Sequence, residues 1–592
     1  MPHPALVLDA ATTGGFLLVL SLTLPVAGIL LVFVAGERHV EQVALGAMAL
    51  GFANTIAVLF TLRRSGGPLV YLLGAWAPPL GVALRADGLS AVMMLTTAVV
   101  IGAVGLYAHA DFHTPAVEAR APFAFWILLL AIWAALNTVF LGGDLFTLYI
   151  ALELVTFAAV PLVCLDGRAE TLQAALRYLL FALLGSILYL VGTALLYGTY
   201  GTLDIVLLSQ RVGAQPAPLV AVALMTVGLL AKTALFPLYF WLPPAHAGAP
   251  ASASAVLSAL VVKASFFIVI RLWFDVMPGL PGFAAPRLLG MLGAAAILFA
   301  GVLALRQERL KLLIAYSTLA QIGYLFLMFP LALGTGPARL YSGGALTGGM
   351  VQAISHATAK AAMFMAAGLI YAALGHDRIA ELGGIGRALP MSVCAFALGG
   401  VALIGVPPSG AYLAKQLLLQ AAAGTEQWWW VVALQAGGVF TSGYVLLALA
   451  HALTPADRPV TLRVRVPRTR EAAALALGLC SLLLGLAPWE WYLSVPSVTP
   501  SIPLALTTVL TSLGTIVGGG ALAILLGRWG HQFADLRFAK LLVAIVGPLR
   551  RAALALGGMI VRVDGTLRQW PAAAFSLMIL AILFGTALLG AW

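Results

Sequence analysis

Residues 232–246 read Lys232-Thr233-Ala234-Leu235-Phe236-Pro237-Leu238-Tyr239-Phe240-Trp241-Leu242-Pro243-Pro244-Ala245-His246. The run continues an apolar stretch of membrane-spanning length, yet it holds a lysine, a histidine and three prolines. Each proline removes a backbone donor and collides with the preceding turn. In lipid, the carbonyls so freed must be satisfied by protein or by water in a cavity. A second break, Ile404-Gly405-Val406-Pro407-Pro408-Ser409-Gly410, precedes Lys415. Each break thus carries a lysine one to two turns away. Interrupted helices in two halves of a chain are the sequence pointer to a transport site built from inverted repeats.

Composition supports a membrane setting. Of 592 residues, 62% are hydrophobic and 9% charged, with a mean hydropathy of +1.04; soluble domains carry about 25% charged residues. Spans of about 20 apolar residues are expected near 16–35, 41–62, 89–110, 123–142, 144–165, 172–197, 218–241, 252–273, 288–305, 312–334, 348–374, 392–420, 428–453, 471–488, 502–527 and 573–591. Continuous hydrophobicity without strand-like alternation excludes an outer-membrane barrel. The absence of a basic segment before the first apolar run argues against a cleaved signal peptide. Cys164, Cys394 and Cys480 lie far apart, with neither metal-ligand nor disulfide spacing. The net charge of +11 is mostly loop arginine and reads as membrane orientation rather than nucleic-acid binding. Loops after odd-numbered spans carry about twice the basic residues of the others, which predicts a cell (inner) membrane protein with its N-terminus outside. Residues 528–570 interleave basic and apolar positions and read as an amphipathic stretch on the cytoplasmic side.

Lysine usage is selective. Of six lysines, Lys232, Lys263, Lys360 and Lys415 lie inside apolar stretches, while Lys311 and Lys540 have arginines nearby. Arginine stays protonated, whereas a desolvated lysine can lose its proton near neutral pH. Glu153 is an intramembrane carboxylate that needs a partner, and Lys232 is the best candidate. Lys263 follows the small-residue run 251–255, which permits close helix approach. His356 and Lys360, four apart, share a helix face, with Ser355 and Thr358 beside them. His246 either gates the chain of titratable groups or caps the broken helix. Asp144 and Asp87 stand at span ends and read as helix-start groups. Coulomb coupling through low dielectric could pass a change at Glu153 and Lys232 from one lysine to the next, as far as Lys415.

Over roughly residues 70–450 the chain resembles the antiporter-like proton-translocating subunits of respiratory complex I, membrane-bound hydrogenases and Mrp-type Na+/H+ antiporters. The residues that carry the resemblance are Leu73 to Ser90, Gly143-Asp144-Leu145-Phe146 with Glu153, Lys232 to His246, Ser258 to Lys263, His356 to Ala361, and Gly405-Val406-Pro407-Pro408 through Lys415. The resemblance implies an all-α polytopic membrane protein with a 14-helix core, two inverted five-helix repeats, about two extra C-terminal spans and a lateral amphipathic stretch. It implies that Glu153 and Lys232 are a gating ion pair, Lys263 a connector, His356 and Lys360 a central relay, and Lys415 the exit. One departure stands in Tyr316-Ser317-Thr318-Leu319-Ala320-Gln321, where many members place histidine at the position of Gln321. Glutamine orders water but does not titrate.

The expected organisation is N-terminal helices over 1–120, a first repeat over 121–275, a second over 286–455, and C-terminal helices over 456–592. No CxxC pair and no strand-borne GxGxxG is present, so no cofactor or metal is expected on this chain. The leading expectation is a proton-conducting subunit of a multisubunit cation/proton antiporter in the lipid bilayer. It would work with other membrane subunits, with protons as cargo and Na+ as a candidate second ion. The alternatives are the same subunit in a redox-driven complex (NADH:quinone oxidoreductase-like or hydrogenase) and an energy-coupling subunit of an uptake complex.

Overall fold

The computed structural model describes residues 11–109, 120–277, 284–333, 343–455, 460–493, 506–526 and 537–590. Among them, 14 helices are long and apolar enough to cross a membrane, from Phe16–Ala35 to Trp570–Leu588. Every expected span contains helix. Three differ in form: the stretch expected at 218–241 is helical only to Thr233, that at 392–420 is divided into Pro390–Ile404 and Gly410–Gly424, and that at 502–527 is Leu506–Leu526. A two-stranded antiparallel ribbon, Leu69–Leu72 with Ala83–Ala86, joins the second and third spans. The ribbon is tied down by an Arg85–Asp204 ion pair at 3.0 Å. Beside it, Arg271 grips Asp87 through two contacts of 2.6 and 2.7 Å.

Burial ranks the helices. Ala251–Val276, Leu310–Ala332 and Gly344–Leu374 are buried over 100%, 94% and 83% of their most apolar windows, against 50% for Leu145–Val163. The first three therefore form the core, and Leu145–Val163 stands at the rim with Ile150, Leu154 and Phe157 exposed. Close approach is set by glycine at two crossings. A Cβ on Gly228 would lie 2.2 Å from the Gly185 carbonyl oxygen, and one on Gly323 would lie 2.4 Å from that of Gly293. Side-chain-free contact of this kind is how helices pack where lipid offers no hydrophobic drive.

Both breaks are locally satisfied. Pro216–Thr233 ends at Ala234 in the left-handed region. Trp241 Nε1 then donates to the Ala231 carbonyl at 3.0 Å, which also accepts from Ala234 N at 3.2 Å, and the Trp241 ring stacks on Tyr178. The chain resumes as Leu242–Gly248. In the second break Pro390–Ile404 ends at left-handed Gly405, and Ser409 caps Gly410–Gly424 by accepting from Tyr412 N at 3.1 Å. Prolines thus end these helices and side chains take over the orphaned groups.

Beyond the core, Arg537–Leu567 is one 31-residue amphipathic helix lying against Ala284–Leu305 and Leu506–Leu526. Residues 528–536 of the expected amphipathic stretch, and Arg339 and Arg458 among the loop charges, lie outside the described residues.

Candidate functional site

Glu153 and Lys232 meet. Lys232 Nζ lies 2.7 Å from Glu153 Oε1 and donates to Thr156 Oγ1 at 3.0 Å. Ser186 donates a second hydrogen bond to Glu153 Oε1. The lysine is 5% exposed and the carboxylate 12%, so the pair sits just inside the rim on Leu145–Val163. Thr156 lies on the same helix as Glu153, three residues further along, so one rim helix supplies both acceptors to the ammonium. Next to Lys232, Thr233 donates to Ser265 Oγ at 2.9 Å, which joins this helix to the one carrying Lys263.

Lys263 and Lys360 are fully enclosed. Leu257–Val261 is a π-helical turn, a distortion often found at functional sites, and the Lys263 ammonium folds back onto the Ser258 carbonyl. Ser258 and Thr318 share a hydrogen bond at 2.8 Å. Lys360 donates to Ser317 Oγ and reaches the Ile314 carbonyl at 3.4 Å. Lys263 and Lys360 are within electrostatic reach of each other and of both His246 and His356. Both histidines are fully buried, and none of their ring nitrogens has a hydrogen-bond partner among the described residues. His246 stacks on Phe364 at 4.7 Å and caps nothing. A buried imidazole with neither nitrogen engaged is a costly arrangement unless water reaches it.

Gln321 is tied on both sides. Its Oε1 accepts from Gln352 Nε2 at 2.7 Å, and its Nε2 donates to Thr441 Oγ1 at 3.1 Å. Lys415 lies beyond, in a small cavity of ≈ 10 Å³ shared with Tyr324, Gln352 and Gly405. A Cβ on Gly438 would lie 3.0 Å from the Lys415 ammonium, so the amine rests against bare backbone of Trp428–Leu453. Asp144 accepts from Phe146 N, Thr147 N and Thr147 Oγ1 at 3.0, 2.8 and 2.5 Å as the N-cap of Leu145–Val163. Asp87 likewise caps Gly88–Ala108.

Several contributors were not singled out from the sequence. Thr156 and Ser186 complete the ion pair. Gln352 joins Gln321, and its place one turn before His356 was the signal that could have found it. A cavity of ≈ 480 Å³ opens beside the first break, lined by Asp166, Arg168, Glu170, Arg177, Arg309 and Lys311 among others. Burial alone would raise the Asp166 carboxyl, but hydrogen bonds from Thr171 and Arg168 outweigh it and hold the group below its ordinary value. Lys311 spans the cavity wall to the Ala249 carbonyl at 3.2 Å.

The lateral helix docks through a carboxylate. Asp564 is 4% exposed and accepts from Tyr239 at 2.8 Å and Tyr316 at 2.9 Å, with Arg568 at 3.2 Å. Tyr239 belongs to the first break, and Tyr316 precedes Ser317. Hydrogen bonds to a charged group contribute about 1.5–3 kcal/mol each. Asp564→Ala is therefore expected to destabilise the purified protein by on the order of 3 kcal/mol and to expose the lateral helix to protease. Proteolysis at the unaltered rate would remove that role.

The fold and site define a class: a multi-span membrane protein with two broken helices and lysines buried within its spans. Over residues 142–441 the chain matches the family described as NADH:quinone oxidoreductase/Mrp antiporter, transmembrane. It is 31% identical to NADH-quinone oxidoreductase subunit N of Desulforudis audaxviator, covering 74% of this chain and 89% of that protein. It is 30% identical to a Na+/H+ antiporter subunit of Alkalihalophilus pseudofirmus, covering 71% and 84%. Among solved structures it is similar to a chain of the Mrp complex from Dietzia sp., with a TM-score of 0.70, 22% identity and coverage of 86% and 97%. It is also similar to a chain of the membrane-bound sulfane sulfur reductase, an archaeal respiratory membrane complex, with a TM-score of 0.71, 25% identity and coverage of 86% and 99%. The chain belongs to the NADH:quinone oxidoreductase/Mrp antiporter transmembrane family.

Proposed function

We propose that this chain is the proton-translocating subunit of a multisubunit cation/proton antiporter in the cell membrane, with its N-terminus outside. Protons move along Glu153, Lys232, Lys263, His356, Lys360 and Lys415. His246, next in sequence to Ala247 in the wall of the polar cavity beside the first break, gates entry to the chain. The single observation that carries this reading is the enclosed group of Lys263, Lys360, His246 and His356, in which the two amines lie within electrostatic reach of each other and of both imidazoles. Two buried ammonium groups so arranged strongly disfavour simultaneous charge, so a proton arriving at one favours departure from the other. Ser317 holds the Lys360 amine, Thr318 holds the Ser258 hydroxyl next to the carbonyl that Lys263 uses, and Gln321 orders the polar groups towards Lys415. The two halves around the breaks act as inverted repeats. Na+ is the coupled cation by analogy with the relative named as a Na+/H+ antiporter subunit.

A second reading has its own support: relatives also carry the names NADH-quinone oxidoreductase subunit N and F420H2 dehydrogenase subunit M. In that reading the same path is driven by redox chemistry on partner chains. The test is to purify the complex from its native membrane, identify co-purifying chains by mass spectrometry, and reconstitute it in vesicles containing a pH-sensitive dye. An imposed Na+ gradient is expected to drive proton movement. Response to an electron donor and quinone, with none to Na+, selects the redox-driven complex. Response to neither overturns both.

A further inference from the structure

Two buried carboxamides adjoin both the helices of the central amines and the cavity that holds Lys415. Gln321 lies one turn beyond Ser317 on Leu310–Phe326, and Gln352 lies one turn before His356 on the Gly343–Leu374 helix. Both are essentially enclosed, at 0% and 4% exposure. Their mutual hydrogen bond is 2.7 Å. Gln321 Nε2 is further held by Thr441 at 3.1 Å and, more loosely, by Tyr444 at 3.5 Å. The Thr441 hydroxyl donates in turn to the Gly437 carbonyl at 2.8 Å. On its far side Gln352 lines the cavity that holds Lys415, which has room for about one water molecule.

A carboxamide donates from nitrogen and accepts at oxygen, but it neither ionises nor gains a proton at ordinary pH. A proton hop needs a group that can take up one proton and give up another at ordinary pH. Water, imidazole and amine do this; an amide joined to another amide does not. While Gln321 Oε1 is occupied by Gln352, the contact is continuous for hydrogen bonding and broken for proton conduction.

We infer that Gln321 and Gln352 form a proton-insulating seal between the central compartment and that of Lys415. This rests on the translocation reading above and adds a gate to it. In the closed state the two compartments do not exchange protons. When the amides part, water enters. One proton then leaves the Lys360 ammonium, which becomes a neutral amine, and one arrives at the Lys415 amine. The seal prevents the downhill leak that an unbroken row of titratable groups would allow.

The test uses the whole complex in liposomes and measures passive proton leak under a K+ diffusion potential, without any driving substrate. Gln352→Ala leaves space for water, and Gln321→His substitutes a group able to accept and release a proton. Each is expected to raise the leak about tenfold or more, the effect of removing about 1.4 kcal/mol from a barrier. Adding Lys415→Met to either variant is expected to return the leak to the unaltered level. An unchanged leak in both single variants, in complexes of normal thermal midpoint, overturns the seal. A raised leak that persists with Lys415→Met also overturns it, since it reports a packing defect. Driven proton movement by the unaltered complex tests the underlying reading separately, so failure of one is distinguishable from failure of the other.

Discussion

Glu153→Gln and Lys232→Met are each expected to reduce driven proton movement to background in vesicles carrying the complex, and combining them is expected to restore stability without restoring transport. Removing one member of a buried pair leaves its partner's charge uncompensated, at a typical cost of about 3–5 kcal/mol. Here the carboxylate keeps 12% of its side-chain surface exposed, so a cost near the lower end, about 3 kcal/mol, is appropriate. The double variant holds no stranded charge. Its amide still accepts from Ser186, the methionine fills the lysine's volume, and only Thr156 loses an interaction. Thermal unfolding in detergent should thus recover, while vesicle transport stays absent because no titratable group remains at this end. Near-normal transport by the double variant would remove the pair from the mechanism.

The membrane-spanning pattern was legible because about 20 apolar residues in a row have few alternatives to a spanning helix. The two breaks were legible because proline has a fixed chemical cost in a helix. Among site residues, the approach of Glu153 to Lys232 was foreseeable from scarcity: an intramembrane carboxylate must find a cation, and few were on offer. What escaped were groups whose side chains are unremarkable in a membrane helix. Ser186 and Thr156 bond back to their own helices at Ala182 and Leu152 as well as serving the ion pair, and the sequence does not distinguish the two uses. The docking of Asp564 joins positions more than 200 residues apart, a relation no local spacing encodes. Gln321 was noticed for what it cannot do; its partner Gln352 carried no signal beyond its spacing from His356, which many buried glutamines share without such a role.

Lys360 offers the sharpest separation of charge from proton exchange. It is fully enclosed, and its ammonium is held by Ser317 and, at 3.4 Å, by the Ile314 carbonyl. Lys360→Met keeps an unbranched, flexible side chain of similar volume and places no charge in the core. Replacing a buried ionic group by an apolar one of similar volume is often neutral or stabilising, so the thermal midpoint is expected to hold or rise. Transport is expected to fall to background. Lys360→Arg makes the opposite change: the charge remains, but guanidinium does not release its proton in any protein site. If Lys360 served only as a fixed positive charge, arginine would support transport and methionine would not. If it must alternate between ammonium and amine, both variants fail. Measured side by side, with the midpoint confirming folding in each, a Lys360→Arg complex that moves protons at the unaltered rate would exclude a proton-carrying role for the central amine.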